Sequence, residues 1–460
     1  MNTNVSVPLE PIPPSLPYLG AAAAGVAGLF VERIGSASLL RSYQIARLRA
    51  LLRHSYATVP FYRQRFQSAG FHPDQLRTIE DLQRVPLTPK ADLRVAEEQD
   101  VLAKDCNPAR LLRYGTGGST GEPTEVRFTR FEDLLLRVMR MQVMLGFGLR
   151  LWDRRAALVF SNGSHRTSLL KRLGILRNQT IHAHLPWEQI RAELRRLRPN
   201  VIRGYPTMVS TLADKLTDED RNFIRPRFIT TDSANLTALA RSRIEKSFGV
   251  PVFDVYDCYE CNVIAYQCPR SEQYHVLDAS VIVEVLHEGR PALPGETGEI
   301  AFTSLHTWAA PLIRYMPGDL VERGIAHCSC GAPNSCLARI SGRVQDRFLM
   351  PDGRIIQPGI FASWIYPLCP FLRSYQIVQE AIDRVIVKLQ PIPGVQVPAG
   401  KLEAARRGMT RDLGEGVTLR IDFVDEIPSE PNGKFRPYRC DVKNDERHPS
   451  VPPEKLWSRN

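Results

Sequence analysis

Short β-branched runs that alternate with helix-length stretches constrain this chain most. Ala156-Ala157-Leu158-Val159-Phe160, Val201-Ile202-Arg203-Gly204 and Phe228-Ile229-Thr230-Thr231 recur through its middle, followed by the strand-like Val250-Pro251-Val252-Phe253. That rhythm predicts an α/β fold with a largely parallel sheet and helices layered on it. Val281-Ile282-Val283-Glu284-Val285-Leu286 and Glu299 to Ser304 predict a β-rich subdomain over about residues 265–340. Beyond Arg343 the pattern becomes short strands with helices, as in Arg384-Val385-Ile386-Val387-Lys388 and Val417-Thr418-Leu419-Arg420-Ile421. A small α+β domain over 346–460 is therefore expected behind a large domain over 1–345, and 460 residues suffice for both cores. Upstream, residues 1–20 are rich in proline, and apolar positions recur at helical spacing from Ala37 to Gln67 with a break at Val59-Pro60.

The chemistry begins at Tyr114-Gly115-Thr116-Gly117-Gly118-Ser119-Thr120-Gly121-Glu122-Pro123-Thr124. Four glycines and five hydroxyl residues occupy nine of these eleven positions, and an alternating run follows, Glu125-Val126-Arg127-Phe128-Thr129. Glycines let backbone N–H groups converge on one point and hydroxyls add rotatable donors, which makes a phosphate cradle at the head of a strand. The same composition also suits a flexible surface loop. Neither G-x-x-x-x-G-K-[ST] nor G-x-G-x-x-G is present, so the loop is neither of the Walker nor of the Rossmann kind. The net charge of +11 suits strongly anionic ligands. Arg191, Arg195, Arg196 and Arg198 cluster at helical spacing and read as a polyanion site or, more simply, a solvated basic face. Zinc-finger and homeodomain spacings are missing, so no nucleic-acid partner is expected. Leu19 to Val31 is apolar but too short for a bilayer, and Glu10 and several prolines precede it where a signal peptide carries basic residues. It reads as the start of a docked helix, with no membrane span expected. Nine irregularly spaced cysteines do not form a secreted disulfide framework, and the cytoplasm is the expected location.

Later segments give the loop a context. Asp254-Val255-Tyr256-Asp257-Cys258-Tyr259-Glu260 follows a strand. Gly298-Glu299-Ile300-Ala301-Phe302-Thr303 leads into Pro311-Leu312-Ile313-Arg314-Tyr315-Met316-Pro317-Gly318-Asp319-Leu320. Then come Ile340-Ser341-Gly342-Arg343-Val344-Gln345-Asp346 and Pro431-Asn432-Gly433-Lys434-Phe435-Arg436. This ordered set resembles the adenylate-forming superfamily of acyl-CoA ligases, and within it the phenylacetate–CoA ligase branch and its CapK-like relatives. Leu51-Leu52-Arg53-His54-Ser55-Tyr56, Val59-Pro60-Phe61-Tyr62-Arg63, Arg203-Gly204-Tyr205-Pro206 and Tyr375-Gln376-Ile377-Val378-Gln379-Glu380 extend the likeness over nearly the whole chain.

The resemblance implies activation of a carboxylic acid by ATP and Mg²⁺ through an acyl-adenylate, with CoA as the expected acceptor. It implies a mobile C-terminal domain that hinges at Gln345–Asp346. An amine, a carrier protein or another acceptor is the alternative, and a non-catalytic nucleotide-binding relative is a third reading. Thr116, Gly117, Gly118, Ser119, Thr120 and Gly121 would surround the leaving phosphates, although Glu122 stands where many relatives carry Lys. Glu260 matches the magnesium carboxylate, a single hard ligand that suits this ion beside phosphate oxygens. Asp232, Ser233 and Ala234 resemble the adenine-edge loop, with Tyr256 and Asp257 on the nucleotide side. Asp319 matches the acceptor of both ribose hydroxyls, Arg343 the ribose or phosphate contact, and Arg314 a support of the same region. Lys434 matches the lysine that touches carboxylate and α-phosphate during adenylation. Tyr205, Cys258 and Tyr259 are expected around the acyl group. Asp257 replaces the usual Gly and Tyr259 the usual Thr, so Asp257 is a candidate partner for a cationic substrate group. Phe147 and Trp152 are further candidates for an aryl pocket or for core packing. A homodimer is common in the branch.

A second constellation is made of cysteines. Cys268, Cys328, Cys330 and Cys336 offer four thiolates for a structural Zn²⁺, with His275 as an alternative fourth ligand and free buried thiols as the other reading. Some members of the branch look zinc-binding at equivalent cysteines. Cys258 and Cys261 flank Glu260 and read as pocket wall.

Overall fold

The computed structural model describes residues 25, 27, 28, 30–32, 35–115, 125–159, 177–183, 185–325, 328–430 and 434–442. The glycine-rich positions Thr116 to Gly121 lie outside the described residues, as does most of Leu19 to Val31. Five parallel strands stand side by side in the order Asn178–His182, Arg155–Val159, Val201–Gly204, Phe228–Asp232, Val252–Cys258. Counted along the chain this is the doubly wound order 2-1-3-4-5, in which ligands gather beyond the carboxyl ends of the strands. The runs singled out in the sequence are four of these strands; Asn178–His182 is not among them. Between them, helices Trp187–Leu197, Pro206–Lys215 and Ala238–Phe248 bury Ile190, Leu194, Val209, Leu212 and Ile244 against Ile202 and Ile229.

Part of the arginine run ties neighbouring helices together, while Arg196 stays exposed and pairs with Glu193 of its own helix. Arg191 and Arg195 both pair with the buried carboxylate of Asp220, at 2.8 and 3.2 Å, and Arg195 also with Glu219. Arg195 and Arg198 lie over the Phe223 ring. These arginines clasp one helix to the next instead of presenting a polyanion face.

The β-rich region is not a separate unit. A hairpin joins Val252–Cys258 to Asn262–Gln267, and hydrogen bonds run on through Tyr274–Val276, Cys336–Arg343, Asp319–Arg323 and Thr297–Ser304 in one sheet. At its far end pack helices Ala37–Thr58 and Pro60–Ser68, separated at the break expected from Val59-Pro60 because a proline fits the first helical turn. Leu48, Leu51, Leu52 and Phe66 meet Leu305, Trp308 and Ile313 there. The buried carboxylate of Glu132 locks helix Arg130–Gly146 to this core: it accepts from the N–H groups of Thr129, Trp308 and Ala309 at 2.6, 2.6 and 2.9 Å.

Two further buried carboxyls sit near the paired strands Tyr274–Val276 and Cys336–Arg343. Glu32 accepts from Asn334 Nδ2 at 2.7 Å, and Asp278 from the N–H of Ser335 at 2.6 Å. Burial, and then the neighbouring Asp278, pushes Glu32 up to about 8; burial pushes Asp278 up to about 7. Both groups hold their protons more tightly folded than unfolded, so their contribution is complete in acid and is lost as pH rises to about 8. The unfolding free energy from urea titration should therefore fall between pH 5.5 and 8.5 by on the order of 5 kcal/mol, and Glu32→Gln should flatten that slope. An unchanged slope in Glu32→Gln would show that the dependence arises elsewhere.

The C-terminal residues form a four-stranded sheet in the order Thr418–Phe423, Arg384–Pro391, Leu372–Ala381, Tyr438–Cys440, with helix Ala399–Leu413 against it. Ile377, Val385, Val387, Met409 and Leu413 build its core, which Leu239 of the large sheet's helices joins, and Arg243 donates to the carbonyl of Leu372 at 2.9 Å. Among the described residues no helix is long and apolar enough to cross a membrane.

Candidate functional site

A cavity of about 1100 Å³ opens beyond the carboxyl ends of Val201–Gly204, Phe228–Asp232 and Val252–Cys258, and is closed from the other side by Glu430 and Lys434 to Tyr438. Two local departures from regular strand geometry aim its side chains. The turn after Val252–Cys258 has only three residues, Tyr259-Glu260-Cys261, completed by Asn262 at φ 66°. That tight turn carries Glu260 at its apex, where it is 4% exposed. In the pair of Asp319–Arg323 with Cys336–Arg343 the register jumps between Leu320 and Val321, and Gly342 takes φ 123°, which a side chain rarely tolerates. The bulge places Arg343 directly opposite Asp319, with Nε 3.4 Å from Oδ1.

One end of the cavity is built around Asp319. Tyr256 donates to its Oδ2 at 2.8 Å, and burial, then that carboxylate, raises the phenol well above its usual range. Glu260 is next along: Lys90 at 3.2 Å and the Tyr315 hydroxyl at 3.1 Å both donate to its Oε1. Lys434 enters this group from the C-terminal domain. Burial and then Arg343 lower its ammonium from the ordinary lysine value, against the opposing pull of Asp257, Asp319 and Glu260.

The other end is a chain of charges. Arg140, on helix Arg130–Gly146, donates to Asp232 and to Asp257 Oδ2 at 2.6 Å; Arg203 donates through Nε to the same Asp232 oxygen. Ser233, at φ 66°, gives its N–H to Asp257 Oδ1 at 3.1 Å. Burial alone would raise both carboxyls. Arg203 and Arg140 hold Asp232 below its ordinary value, whereas Asp257, facing Asp232, stays raised. Tyr205 and Tyr259 flank this end.

The structure thus gathers Ser233, Ala234, Tyr256, Asp257, Cys258, Tyr259, Glu260, Asp319, Arg343, Lys434 and Tyr205 around one cavity. Four expectations change. Asp257 has no room for a substrate cation, because the protein's own Arg140 occupies it. Asp232 lies behind the wall, only 2% exposed, as the shared partner of two arginines. Arg314 is outside the cavity: it pairs with Glu284 at 2.8 Å and donates to the carbonyls of Gln83 and Val85, anchoring the strand that precedes Asp319. Phe147 stacks on Phe253 at 4.5 Å in the core, and Trp152 is 69% exposed, so neither lines the cavity. Lys90 and Arg140 were not legible as site residues. Lys90 follows Thr88-Pro89 at a strand-to-helix turn, the one local signal that could have marked it.

The cysteine cluster lies apart from the cavity. One ligand atom each from Cys268, His275, Cys328 and Cys330 falls within 4.8 Å of the others. Cys330 Sγ is 3.4 Å from His275 Nε2, and Cys328 Sγ 3.7 Å from Cys268 Sγ. Cys336 packs against the group, but its thiol donates to the carbonyl of Asn334 at 3.5 Å; His275, its cross-strand partner, is the residue brought into the set.

Comparison with known proteins bears on the fold. The CapK C-terminal domain family matches residues 348–439. Phenylacetate-coenzyme A ligase of Thermus thermophilus is 25% identical over 86% of this chain and 95% of its own. That of Pseudomonas putida is 28% identical over 68% and 73%, and protein CapK of Staphylococcus aureus is 24% identical over 78% and 80%. Crystal structures of 2-hydroxyisobutyryl-CoA ligase share the fold: the postadenylation state with R3-HIB-AMP gives a TM-score of 0.71 at 23% identity, over 88% of this chain and 90% of that one. The thioesterification state of that ligase with 2-HIB-AMP and CoA gives 0.59 at 22% identity, over 89% and 91%.

Proposed function

We propose, for a chain that belongs to the adenylate-forming superfamily in its phenylacetate–CoA ligase and CapK-like branch, that this cavity activates a carboxylic acid with ATP. An acid oxygen attacks the α-phosphorus, the bond to the leaving pyrophosphate breaks, and an acyl-adenylate remains. Transfer of the acyl group to the thiol of CoA then releases AMP. The observation that carries this reading is the convergence of Lys434, from the C-terminal segment, with Asp319, Glu260 and Arg343 of the large domain on one space.

The side chains divide the work by chemistry. Asp319 is suited to accept two adjacent hydroxyls, one at each oxygen, with Tyr256 and Arg343 fixing its carboxylate. Ser233 and Ala234 are assigned to the adenine edge, and Tyr205, Cys258 and Tyr259 to the acyl group. Lys434 is a mobile point charge for the anions that meet at the reacting phosphorus. Little covalent work falls to the protein; position and charge neutralisation are its contributions. Glu260 fits a magnesium ion through Oε2, since Lys90 and Tyr315 take Oε1, and the ion would neutralise phosphate charge there. Residues 346–460 are assigned to a mobile domain hinged at Gln345–Asp346, where Arg436 pairs with Asp346.

Cys268, His275, Cys328 and Cys330 are assigned to a structural zinc. Tetrahedral Zn–S bonds of about 2.3 Å separate sulfurs by about 3.8 Å, close to the spacing found here. The N–H groups of Arg270 and Ala332 also point at Cys268 and Cys330 Sγ, at 3.3 and 3.4 Å, as they do around metal-bound thiolates. About one equivalent of zinc is expected in the purified protein, with a lower melting temperature after chelation. Less than about half an equivalent and unchanged melting would remove the site.

Acid-dependent pyrophosphate release with ATP and Mg²⁺, with and without CoA, tests the main reading. Release that turns over repeatedly only with CoA supports the ligase. Release indifferent to CoA points to an amine, carrier protein or other acceptor. No release from aryl, acyl or amino acids counts against activation.

A further inference from the structure

We propose that Arg203 determines specificity at the acyl end, selecting a cyclic acid that carries a hydrogen-bond-accepting oxygen away from its reacting carboxylate. The inference rests on the acid-activation reading and names its substrate class. Two guanidinium groups stand at this end, and they are used differently. Arg140 spends both Nη atoms on Asp232, Asp257 and Asn262, and its side chain is only 16% exposed. Arg203 is held by its inner edge: among the described residues its hydrogen bond is the one from Nε to Asp232, while its side chain is 40% exposed and lines the cavity. A planar fork fixed at Nε keeps its orientation and presents its Nη donors to whatever fills the space.

An unsubstituted ring would desolvate those donors and give them no acceptor, whereas an oxygen substituent would meet them with one or two charge-assisted hydrogen bonds. A site built to bond such an oxygen discriminates strongly against the analogue that lacks it. The rings of Tyr205 and Tyr259 supply flat surface for the cyclic part. A hydroxyaryl or carboxyaryl acid satisfies both features; a plain phenyl acid satisfies only the second.

The test measures kcat/KM for pyrophosphate release with phenylacetate, 4-hydroxyphenylacetate and 4-carboxyphenylacetate, in the full chain and in Arg203→Leu and Arg203→Lys. The wild type is expected to prefer one of the oxygenated acids by at least about 10-fold. Arg203→Leu should lose at least about 10 times more rate on that acid than on phenylacetate. Arg203→Lys, which keeps a charge for Asp232 but lacks the fork, should fall between them. Equal or better use of phenylacetate by the wild type would overturn the proposal while leaving acid activation intact. So would an equal loss on every acid in Arg203→Leu, the mark of a merely structural partner for Asp232. Silence from all acids in the wild type would overturn activation itself, and this proposal with it.

Discussion

Lys434→Ala is expected to lower acid-dependent pyrophosphate release about 100- to 1000-fold while ATP binding changes only a few-fold. That magnitude is typical for losing one charged stabiliser of a developing anion. Binding should survive because the groups assigned to the nucleotide, Tyr256, Asp319 and Arg343, hold one another without the lysine. The lysine's own environment gives a second readout. Burial and Arg343 lower its ammonium, so it loses its proton earlier than an ordinary lysine as pH rises, and the rate should fall on that alkaline limb. Lys434→Arg keeps the charge throughout and should remove the limb at the cost of rate. Equilibrium dialysis of ATP alongside the pyrophosphate assay separates the two effects. Normal release by Lys434→Ala would withdraw the assignment.

The expectations that held were those fixed by local pattern. Val201–Gly204 and Phe228–Asp232 are strands because short β-branched runs between helices have few other ways to be buried, and Val59-Pro60 ends a helix for reasons internal to proline. The gathering of Tyr256, Glu260, Asp319, Arg343 and Lys434 was legible for a different reason, their order within a recognised set of motifs. What could not be read was pairing. Arg140 sits mid-helix with nothing in its neighbours to separate it from a solvated arginine, and only the crossing of that helix over the sheet brings it to Asp232 and Asp257. Likewise His275 and Cys336 face each other across adjacent strands, so either could have joined the cysteines; strand register and side-chain direction chose the histidine. Arg314 shows the converse error. Its motif position lies beside Asp319, but its side chain points into the fold toward Glu284.

Arg140→Met should destabilise the protein by about 3–5 kcal/mol, far more than the loss of about 1 kcal/mol or less expected for an exposed ion pair. Without Arg140, Asp232 keeps Arg203, but among the described residues Asp257 retains only hydrogen bonds from the Ser233 N–H and hydroxyl, half-buried and facing another carboxylate. Burial, then Asp232, already raises Asp257 with the arginine in place, and removing the cation raises it further. A raised folded-state pKa means that the deficit in Arg140→Met shrinks as pH falls from 8 to 5, since the protonated carboxyl costs less to bury. Urea unfolding of wild type and variant across that range measures both the size and the sign. Adding Asp257→Asn to Arg140→Met should recover more than half of the loss at pH 8, because the amide oxygen still accepts from Ser233 and no unpaired charge remains. A double variant no more stable than Arg140→Met would mean that the arginine acts through packing of its stem and not through its charge.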